Sequence, residues 1–270
     1  MLFLYSFLCR EDSCIEMRNK TKKLIREGRE ESMFNFDFRI RFSECNKRRV
    51  LKESSIINLL QDTSTFHSEY SDVKIENLLK KNLGWIILSW DIKIKELPKF
   101  NDVVTVETRC PKGKGLYVFR DFRIIRGDEV LVKAHSTWIL LDLKRLVPTK
   151  IPNEMTKKYG IDEGLNEEWY NRKLKSLDDS KKVISFVVDE NMIDSNNHMN
   201  NQKYIEKALK LIPSDLKVKR ISVTYLKQSL LNDKMEIYLG RNKDGKYVID
   251  FKDDKLSLHS TIYIEAEKIE

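Results

Sequence analysis

Hydrophobic and polar residues alternate along several long stretches of the chain. Residues 84–109 form one alternating run, a turn at Asn101-Asp102 and a second alternating run, and residues 218–241 repeat this order around Asn232-Asp233. Alternation of this kind is typical of antiparallel strands that bury one face. The pattern therefore predicts similar strand pairs in the two halves of the chain.

A further repeated feature is a strand that carries the tripeptide His-Ser-Thr. It occupies residues 135–137 within the stretch 117–142 and residues 259–261 within the stretch 246–267. In both stretches a strand and a short turn with Gly or Asp precede the tripeptide. The shared order indicates a duplicated unit, and we interpret His135 and His259 as structural members of it.

One helical segment precedes the strands of each half. In the first half, Glu53-Ser54-Ser55 can cap a helix; in the second, Asn200-Asn201 can do so. Each helix has an apolar stripe at helical spacing, formed by Ile56, Leu59, Leu60 and Thr63 in the first and by Tyr204, Ile205, Ala208 and Leu209 in the second. One central helix with about four or five antiparallel strands is an α+β unit.

These elements divide the chain into parts. Residues 33–152 form the first unit, residues 183–270 form the second, and the highly charged residues 153–182 lack a strand pattern and are predicted to be a linker. Residues 1–32 are predicted to be a non-native or disordered extension. Their apolar start is too short to span a bilayer and lacks a cleavage site, whereas Met33 begins a strand-like run. We hypothesise that the natural protein starts at Met33 and that residues 27–31 correspond to a purine-rich ribosome-binding site.

Composition narrows the class of protein. Among 270 residues, 41% are apolar and 34% are charged, which indicates a soluble globular protein with a core. The four cysteines have no metal-ligand spacing and favour a reducing, cytoplasmic compartment. The net charge of +8 arises from basic residues interleaved with acidic ones. This pattern favours an acidic protein partner over nucleic acid, and no membrane insertion is predicted.

The densest polar cluster lies in residues 194–204, DSNNHMNNQKY. Asp194, Asn196 and His198 alternate, so in an extended loop their side chains point the same way. Asn200 and Asn201 fall at the helix start, where N–H groups favour a developing negative charge. These groups suffice for acyl-transfer hydrolysis. The alternative is a solvated histidine among residues that form turns and caps.

Other candidates are interpreted as structural. We expect His67 to interact with the end of the first helix or with solvent, and Cys110 to be a small buried residue. Gly113 and Gly115 lie between two strands without a following helix, so they predict a flexible hairpin loop and not a phosphate-binding loop.

The polar cluster resembles the active-site segment of the plant and bacterial acyl-acyl-carrier-protein thioesterases. That segment usually reads D-x-N-x-H-V-N-N-x-K-Y, and here Met199 replaces the valine. The resemblance covers roughly residues 36–267 and includes Asn58 to Asp62, Trp85 to Leu88, Asp102 to Val104 and Ser136 to Trp138. It implies two tandem hotdog units, in each of which a curled antiparallel sheet wraps a central helix.

The resemblance also implies roles for individual residues. Asp194 would be the general base or nucleophile, and Asn196 and His198 would orient water or polarise the carbonyl. Amides at the helix start, near Asn200 and Asn201, would supply the oxyanion site. The first unit would hold the acyl chain in a tunnel lined by some of the residues Ile57, Leu60, Trp85 and Ile87. No metal or organic cofactor is implied.

One position departs from the family pattern. A glutamate usually stands where this chain has Gln228, and a glutamine can orient water but cannot accept a proton. Three interpretations stay open: Asp194 is the sole carboxylate, the activity is low, or the alignment is wrong by one residue.

The expected function is thioester hydrolysis that releases fatty acid from acyl-acyl carrier protein during fatty acid biosynthesis. The expected partner is the acidic acyl carrier protein, and the expected assembly is a monomer or a homodimer. The alternatives are a hotdog enzyme that hydrolyses or hydrates acyl-coenzyme A, and a catalytically impaired protein that binds acyl-acyl carrier protein.

Overall fold

A computed structural model of the chain describes residues 24–26, 29–31, 33–111, 113–160 and 164–269. The strands are β1 (Leu24–Arg26), β2 (Arg29–Glu31), β3 (Phe34–Arg39), β4 (Leu83–Ile94), β5 (Val103–Arg109), β6 (Tyr117–Arg126), β7 (Glu129–Asp142), β8 (Val147–Thr149), β9 (Lys181–Val187), β10 (Leu216–Tyr225), β11 (Lys234–Arg241), β12 (Tyr247–Asp253) and β13 (Leu258–Lys268). The helices are α1 (Ile56–Tyr70), α2 (Ile75–Lys80), α3 (Asn153–Tyr159) and α4 (Asn201–Leu209). In these ranges no helix combines the length and apolar character that a membrane crossing requires.

One antiparallel sheet contains two copies of the same strand order. Its strands run β3-β5-β6-β7-β4-β10-β13-β12-β11-β9, and β8 adds to β7. The first half contributes β3 to β7 and the second half β9 to β13. In each half the second of these strands pairs with the fifth: β4 with β7, and β10 with β13. Strands β4 and β10 pair with each other at the centre of the sheet. The predicted α+β fold of two tandem hotdog units is therefore confirmed.

The helices bury the predicted stripes against this sheet. The stripe residues of α1 are buried, as are Tyr204, Ile205 and Ala208 of α4, while Leu209 packs against the same core. Buried side chains of both halves form one continuous apolar cluster. Because neither helix can bury its stripe alone, the cluster makes each half a support for the other.

The predicted cap of α1 is wrong in detail. Ser55 occupies the cap position, but its side chain makes no capping hydrogen bond. A 3₁₀ turn over Glu53–Ser55 precedes the helix, and the Ser55 hydroxyl donates to the carbonyl oxygen of Glu44 at 3.4 Å. The turn therefore takes the place of a side-chain cap.

The predicted linker begins with α3 and then crosses the central strands. The backbone N–H of Tyr170 donates to Asp91 at 2.6 Å, and that of Leu174 donates to Thr224 at 3.0 Å. Glu167 forms ion pairs with Lys93 and Lys133, which lower the pKa of its carboxyl group. The described part of the linker is thus fixed to the sheet by hydrogen bonds and charge.

The N-terminal hairpin stands apart from the large sheet. Strands β1 and β2 pair with each other in a sheet of their own. Residues 1–23, 27–28 and 32 lie outside the described residues, so the hypothesis that the protein starts at Met33 stays a prediction.

Candidate active site

The polar cluster forms a tight loop between β9 and α4. Ile193 and Met199 bridge its two ends, the N–H of Asp194 donates to the carbonyl of His198 at 2.9 Å, and the N–H of Asn197 donates to the carbonyl of Asp194 at 3.0 Å. Asn197 has φ 64°, a left-handed conformation that asparagine tolerates. The prediction of an extended loop is wrong, because these backbone hydrogen bonds fold the segment back on itself.

The fold of this loop still brings the predicted aspartate and histidine together. Asp194 Oδ1 lies 3.7 Å from His198 Nδ1, and the two side chains are 21% and 25% exposed. The distance allows an ion pair with a protonated imidazole but is too long for a direct hydrogen bond. Asp194 Oδ1 also accepts the backbone N–H of Asn196 at 2.8 Å, and Asn196 itself is exposed. The pair is therefore half open to an incoming substrate.

The start of α4 lies directly beside this pair. Asn200 caps the helix as predicted: its side chain accepts the N–H of Gln202 at 2.8 Å. Asn201 is the first helical residue, and its carbonyl accepts the hydroxyl of Tyr225 at 3.1 Å. The positive end of the helix dipole thus points toward the loop that carries Asp194 and His198.

Gln228 lies in the segment that follows β10. It is exposed, whereas Ser229 next to it is completely buried. The Ser229 carbonyl accepts the N–H of Met199 at 2.8 Å. This bond ties the residue after His198 to the residue after Gln228, so the two predicted positions belong to neighbouring segments.

A buried hydrogen-bond chain supports the contact between these segments. The Tyr204 hydroxyl donates to Ser229 Oγ at 2.7 Å, the Ser229 hydroxyl lies 2.7 Å from His259 Nδ1, and His259 Nε2 lies 3.3 Å from Asp253 Oδ2. Lys227 completes the chain with an ion pair to Asp253 at 2.8 Å. The ionised Asp253 carboxylate can only accept, so His259 Nε2–H donates to it and Nδ1 is left as the acceptor that faces the Ser229 hydroxyl.

Burial sets the protonation of this chain. It lowers the pKa of His259 and raises the pKa of Tyr204 to about 12, while the hydrogen bond from Lys227 lowers the pKa of Asp253. His259 is therefore a neutral, fully buried link, which agrees with the structural role expected for it. In the sequence, this series of hydrogen bonds was indicated only by the repeated His-Ser-Thr tripeptide, which did not reveal the part played by Ser229.

A cavity of about 410 Å³ opens in the N-terminal unit, within the usual size range of small-molecule sites. Trp85 of β4, Cys110, Tyr117 of β6 and Tyr159 of α3 are among the residues that line it. A smaller cavity of about 60 Å³ shares Trp85, Cys110 and Tyr159 with it. The two spaces lie side by side, and the smaller one extends toward α1.

Of the four predicted tunnel residues, one lines these cavities. Trp85 does, but Ile57 and Leu60 are completely buried in the shared apolar core, and Ile87 packs against that core. The assignment of Ile57, Leu60 and Ile87 to the acyl tunnel stays a prediction: in this structure they lie in or against the core, while the smaller cavity borders Ser64, Thr65 and Ser68 of α1.

The loop before β6 also contributes to the larger cavity. Gly113 and Gly115 line it, and a Cβ atom on Gly113 would lie 2.5 Å from the carbonyl oxygen of Tyr117. A glycine is therefore required at position 113 for this close approach.

The expectation that His67 interacts with the end of the first helix or with solvent is wrong. It is 5% exposed and accepts a hydrogen bond from Arg120 at 2.8 Å, and its ring stacks on Phe34. Burial and the nearby Arg120 charge lower its pKa to about 2. Cys110, by contrast, is buried as predicted.

The first unit contains a loop of the same shape as the active-site loop. Cys45 and Leu51 bridge its ends, the N–H of Asn46 donates to Val50 at 2.8 Å, and Arg49 has φ 60°. Asn46 Oδ1 accepts the N–H of Arg48 at 2.9 Å, as Asp194 does from Asn196. Position by position, Asn46, Arg48 and Val50 therefore stand where the second unit has Asp194, Asn196 and His198.

Comparisons with known proteins agree with this double-unit architecture. Sequence models of the acyl-ACP thioesterase N-terminal domain and C-terminal domain match residues 31–159 and 175–267. The chain belongs to the acyl-ACP thioesterase family.

Plant proteins are among the curated relatives. An acyl-[acyl-carrier-protein] hydrolase, chloroplastic, of Cuphea viscosissima is 26% identical over 198 residues, which are 68% of this chain and 48% of the relative. A palmitoyl-acyl carrier protein thioesterase, chloroplastic, of Arabidopsis thaliana is 27% identical over 218 residues, which are 73% of this chain and 52% of the relative. The chain thus spans about half the length of the curated relatives it matches.

Two solved structures share the fold. An acyl-ACP thioesterase from Bacteroides thetaiotaomicron superimposes with a TM-score of 0.80 at 20% identity, covering 87% of this chain and 98% of that one. The 12:0-ACP thioesterase from Umbellularia californica gives 0.77 at 18% identity, covering 88% and 98%. At such identities the likeness establishes the architecture and not the chemistry.

Proposed function

We propose that this protein hydrolyses the thioester of acyl-acyl carrier protein and releases a free fatty acid for fatty acid biosynthesis. The observation that carries the proposal is the loop at the start of α4, where Asp194 and His198 lie 3.7 Å apart within a segment that has the family motif. Family membership supports the same substrate class. The cytoplasm is the proposed compartment, where a thiol such as Cys45 stays reduced.

Two routes fit the pair of side chains. In the first, Asp194 or His198 takes a proton from a water molecule that attacks the thioester carbonyl carbon. In the second, the Asp194 carboxylate attacks that carbon itself, and water then hydrolyses the resulting anhydride. In both, the carbon–sulfur bond breaks, the carrier thiolate leaves and gains a proton, and the acid is released.

The helix start would stabilise the negative oxygen formed on the way. The N–H groups of Gln202 and Lys203 already donate to the side chain and the carbonyl of Asn200, so the proposed donors are the N–H of Asn201 and the positive end of the helix dipole. Donors placed in advance of charge development commonly contribute more than any other single effect in such reactions. The exposed Asn196 is proposed to orient water or to bind the carbonyl oxygen.

The larger cavity of the N-terminal unit is proposed to hold the acyl chain. Its volume of about 410 Å³ and the aromatic side chains of Trp85, Tyr117 and Tyr159 suit an apolar chain. Of the residues expected from the sequence to line the tunnel, Trp85 borders this cavity, whereas Ile57, Leu60 and Ile87 do not.

The deciding experiment is to incubate the purified full chain with a series of acyl-acyl carrier proteins and with the matching acyl-coenzyme A esters. We expect free acid to be released faster from the carrier protein and the rate to fall to background in Asp194→Ala. Asn46→Ala, which alters the matching loop of the first unit, should keep the wild-type rate. Hydrolysis or hydration of coenzyme A esters alone would favour the second class of enzyme. Tight binding of acyl-acyl carrier protein without release would favour an impaired protein.

A further inference from the structure

A buried arginine borders the smaller cavity of the N-terminal unit. Arg120 of β6 is 6% exposed and lines that cavity together with Ser64, Ser68 and Tyr159. Within the part of the chain that the structure describes, no carboxylate forms an ion pair with its guanidinium. A buried charge is normally paired because its removal from water is costly.

The partners that Arg120 has among the described residues are neutral. Its Nη1 donates to His67 Nδ1 at 2.8 Å and approaches Thr108 Oγ1 at 3.4 Å. His67 cannot carry a charge at neutral pH, because burial holds its pKa at about 2. The third partner is the ring of Tyr159, whose centroid lies 5.1 Å from the guanidinium carbon. These contacts orient Arg120 without compensating its charge.

Two partly buried arginines elsewhere in the sheet are compensated by carboxylates, whereas Arg109 of β5 contacts the Met33 sulfur and has no carboxylate partner among the described residues. Arg220 binds the buried carboxylate of Asp91 at 2.6 Å, and Arg123, in the same strand as Arg120, binds Glu107 at 2.7 Å. Arg120 therefore differs from Arg220 and Arg123, and it is more deeply buried than Arg109.

We propose that this cavity system binds an apolar chain that ends in a carboxylate, with Arg120 as the partner of that carboxylate. A guanidinium matches a carboxylate with two parallel hydrogen bonds. Trp85 and Val118 border both cavities and offer the apolar chain its walls. The ligand is either a free fatty acid or an acyl group that carries a carboxylate at its far end. The site shares its apolar walls with the cavity proposed to hold the acyl chain, so it rests on that part of the proposed function; it uses neither Asp194 nor His198, and binding to it is measurable without turnover.

Tryptophan fluorescence gives a direct readout, because Trp85 and Trp138 line the smaller cavity. We would titrate the full chain with dodecanoate and with dodecanol, which differ only in the charged end. We expect the acid to bind about 10- to 100-fold more tightly, the range for a hydrogen bond to a charged group. Arg120→Met should remove this preference.

Two controls separate the site from general effects. Arg123→Gln removes a charge from the same strand but outside the cavities, and it should keep the preference for the acid. Arg120→Met should unfold at the same or a higher temperature, because it replaces an uncompensated buried charge with an apolar side chain. A melting temperature that does not fall shows that a lost preference comes from the site and not from unfolding.

The source of the carboxylate follows from kinetics. Inhibition by free dodecanoate that Arg120→Met relieves assigns it to the free acid. Preferred hydrolysis of carrier-linked chains with a carboxylate at the far end, lost in the same variant, assigns it to the substrate. The proposal is overturned if wild type binds neither probe, if acid and alcohol bind equally, or if Arg120→Met keeps the preference. Failure of hydrolysis alone would leave the fluorescence result standing.

Discussion

The loop before α1 and the loop before α4 have the same backbone and different chemistry. Each loop is closed by a β-bridge and contains one residue in the left-handed conformation. In each, a side-chain oxygen accepts a hydrogen bond from the backbone N–H two residues later. The first loop has Asn46 and Val50 where the second has Asp194 and His198. The carboxylate–imidazole pair is therefore absent from the first loop although its frame is present.

The next segment repeats the comparison. Leu51 donates its N–H to Pro98 at 2.9 Å in the first unit, as Met199 does to Ser229 at 2.8 Å in the second. Leu97 then stands where the second unit has Gln228, and it packs against the apolar core. The shape of the loop is therefore a property of the duplicated fold, whereas reactivity depends on the few side chains that the loop of each unit carries.

The largest expected effect comes from making the second loop resemble the first. His198→Val should lower kcat about 10²- to 10⁴-fold, the usual contribution of one acid–base group. The loop should keep its shape, since valine occupies the matching position in the first unit. Initial rates of free acid release and the melting temperature are the measurements.

The reverse change is the matched control. Val50→His should leave kcat unchanged, because Asn46 beside it cannot act as a base. A His198→Val variant that keeps more than about a tenth of wild-type kcat would remove His198 from the mechanism.

How far the sequence predicted this comparison depends on how local each feature is. The stripes of α1 and α4 follow from helical spacing. Asp194 and His198 were expected to converge through alternation in an extended loop, whereas a loop folded back by backbone hydrogen bonds brings them together. The shared loop shape was not predicted. It depends on left-handed backbone conformations at Arg49 and Asn197, which residues other than glycine rarely adopt.

The cavity was beyond sequence reasoning for a different reason. Its lining combines Trp85, Cys110, Arg120 and Tyr159, which come from separate elements that only the folded chain brings together. Tyr159 lies in the predicted linker, and Arg120 lies in a strand with other basic residues. No spacing rule distinguishes Arg120 from Arg123, although in the described part of the chain Arg123 is paired with Glu107 and Arg120 with no carboxylate.

A second prediction compares the buried histidines of the two units. The pKa values of His67 and His259 are lowered by burial. Below the unfolded pKa of about 6.5 the unfolded chain takes up protons that the folded chain does not. Stability is therefore fully present above that pH and falls as the pH drops, by up to about 1.4 kcal/mol per pH unit for each histidine.

Denaturant unfolding between pH 7 and pH 4.5 tests this dependence. His67→Gln should flatten the fall, since glutamine keeps an acceptor for Arg120 but does not titrate. Ser68→Ala perturbs the same cluster without removing a titratable group and should lower stability equally at each pH. An unchanged slope in His67→Gln would contradict the assignment of His67 as a buried neutral group.

A smaller effect should separate the tips of the two loops. The first loop exposes Lys47, Arg48 and Arg49, and the second exposes Ser195, Asn196 and Asn197. If the proposed partner is the acidic carrier protein, the basic tip raises the encounter rate in a salt-dependent way. Replacing the three basic residues with Ser, Asn and Asn should raise KM several-fold at low salt and leave kcat unchanged.

Salt provides the check on that prediction. KM of the wild type should rise with ionic strength, and KM of the triple variant should rise less. Equal salt dependence in both proteins would show that the basic tip does not contact the carrier. With coenzyme A substrates, which lack the carrier protein's surface, KM should be the same for the wild type and the triple variant.

The smallest effect is expected at Gln228, where the family pattern has glutamate. Gln228 is exposed, and among the described residues its side chain has no hydrogen-bond partner that would place it on Asp194 or His198. We expect Gln228→Glu to change kcat less than about threefold and to leave its pH profile unchanged, because solvent-exposed groups gain little from burial-dependent tuning.

The matched variant is Leu97→Gln, which introduces glutamine at the same place in the first unit and should leave kcat unchanged. A rise of more than about tenfold in Gln228→Glu, together with a new acidic limb of the pH profile, would show that a second carboxylate completes the site. The measured outcome therefore decides whether Asp194 acts as the sole carboxylate.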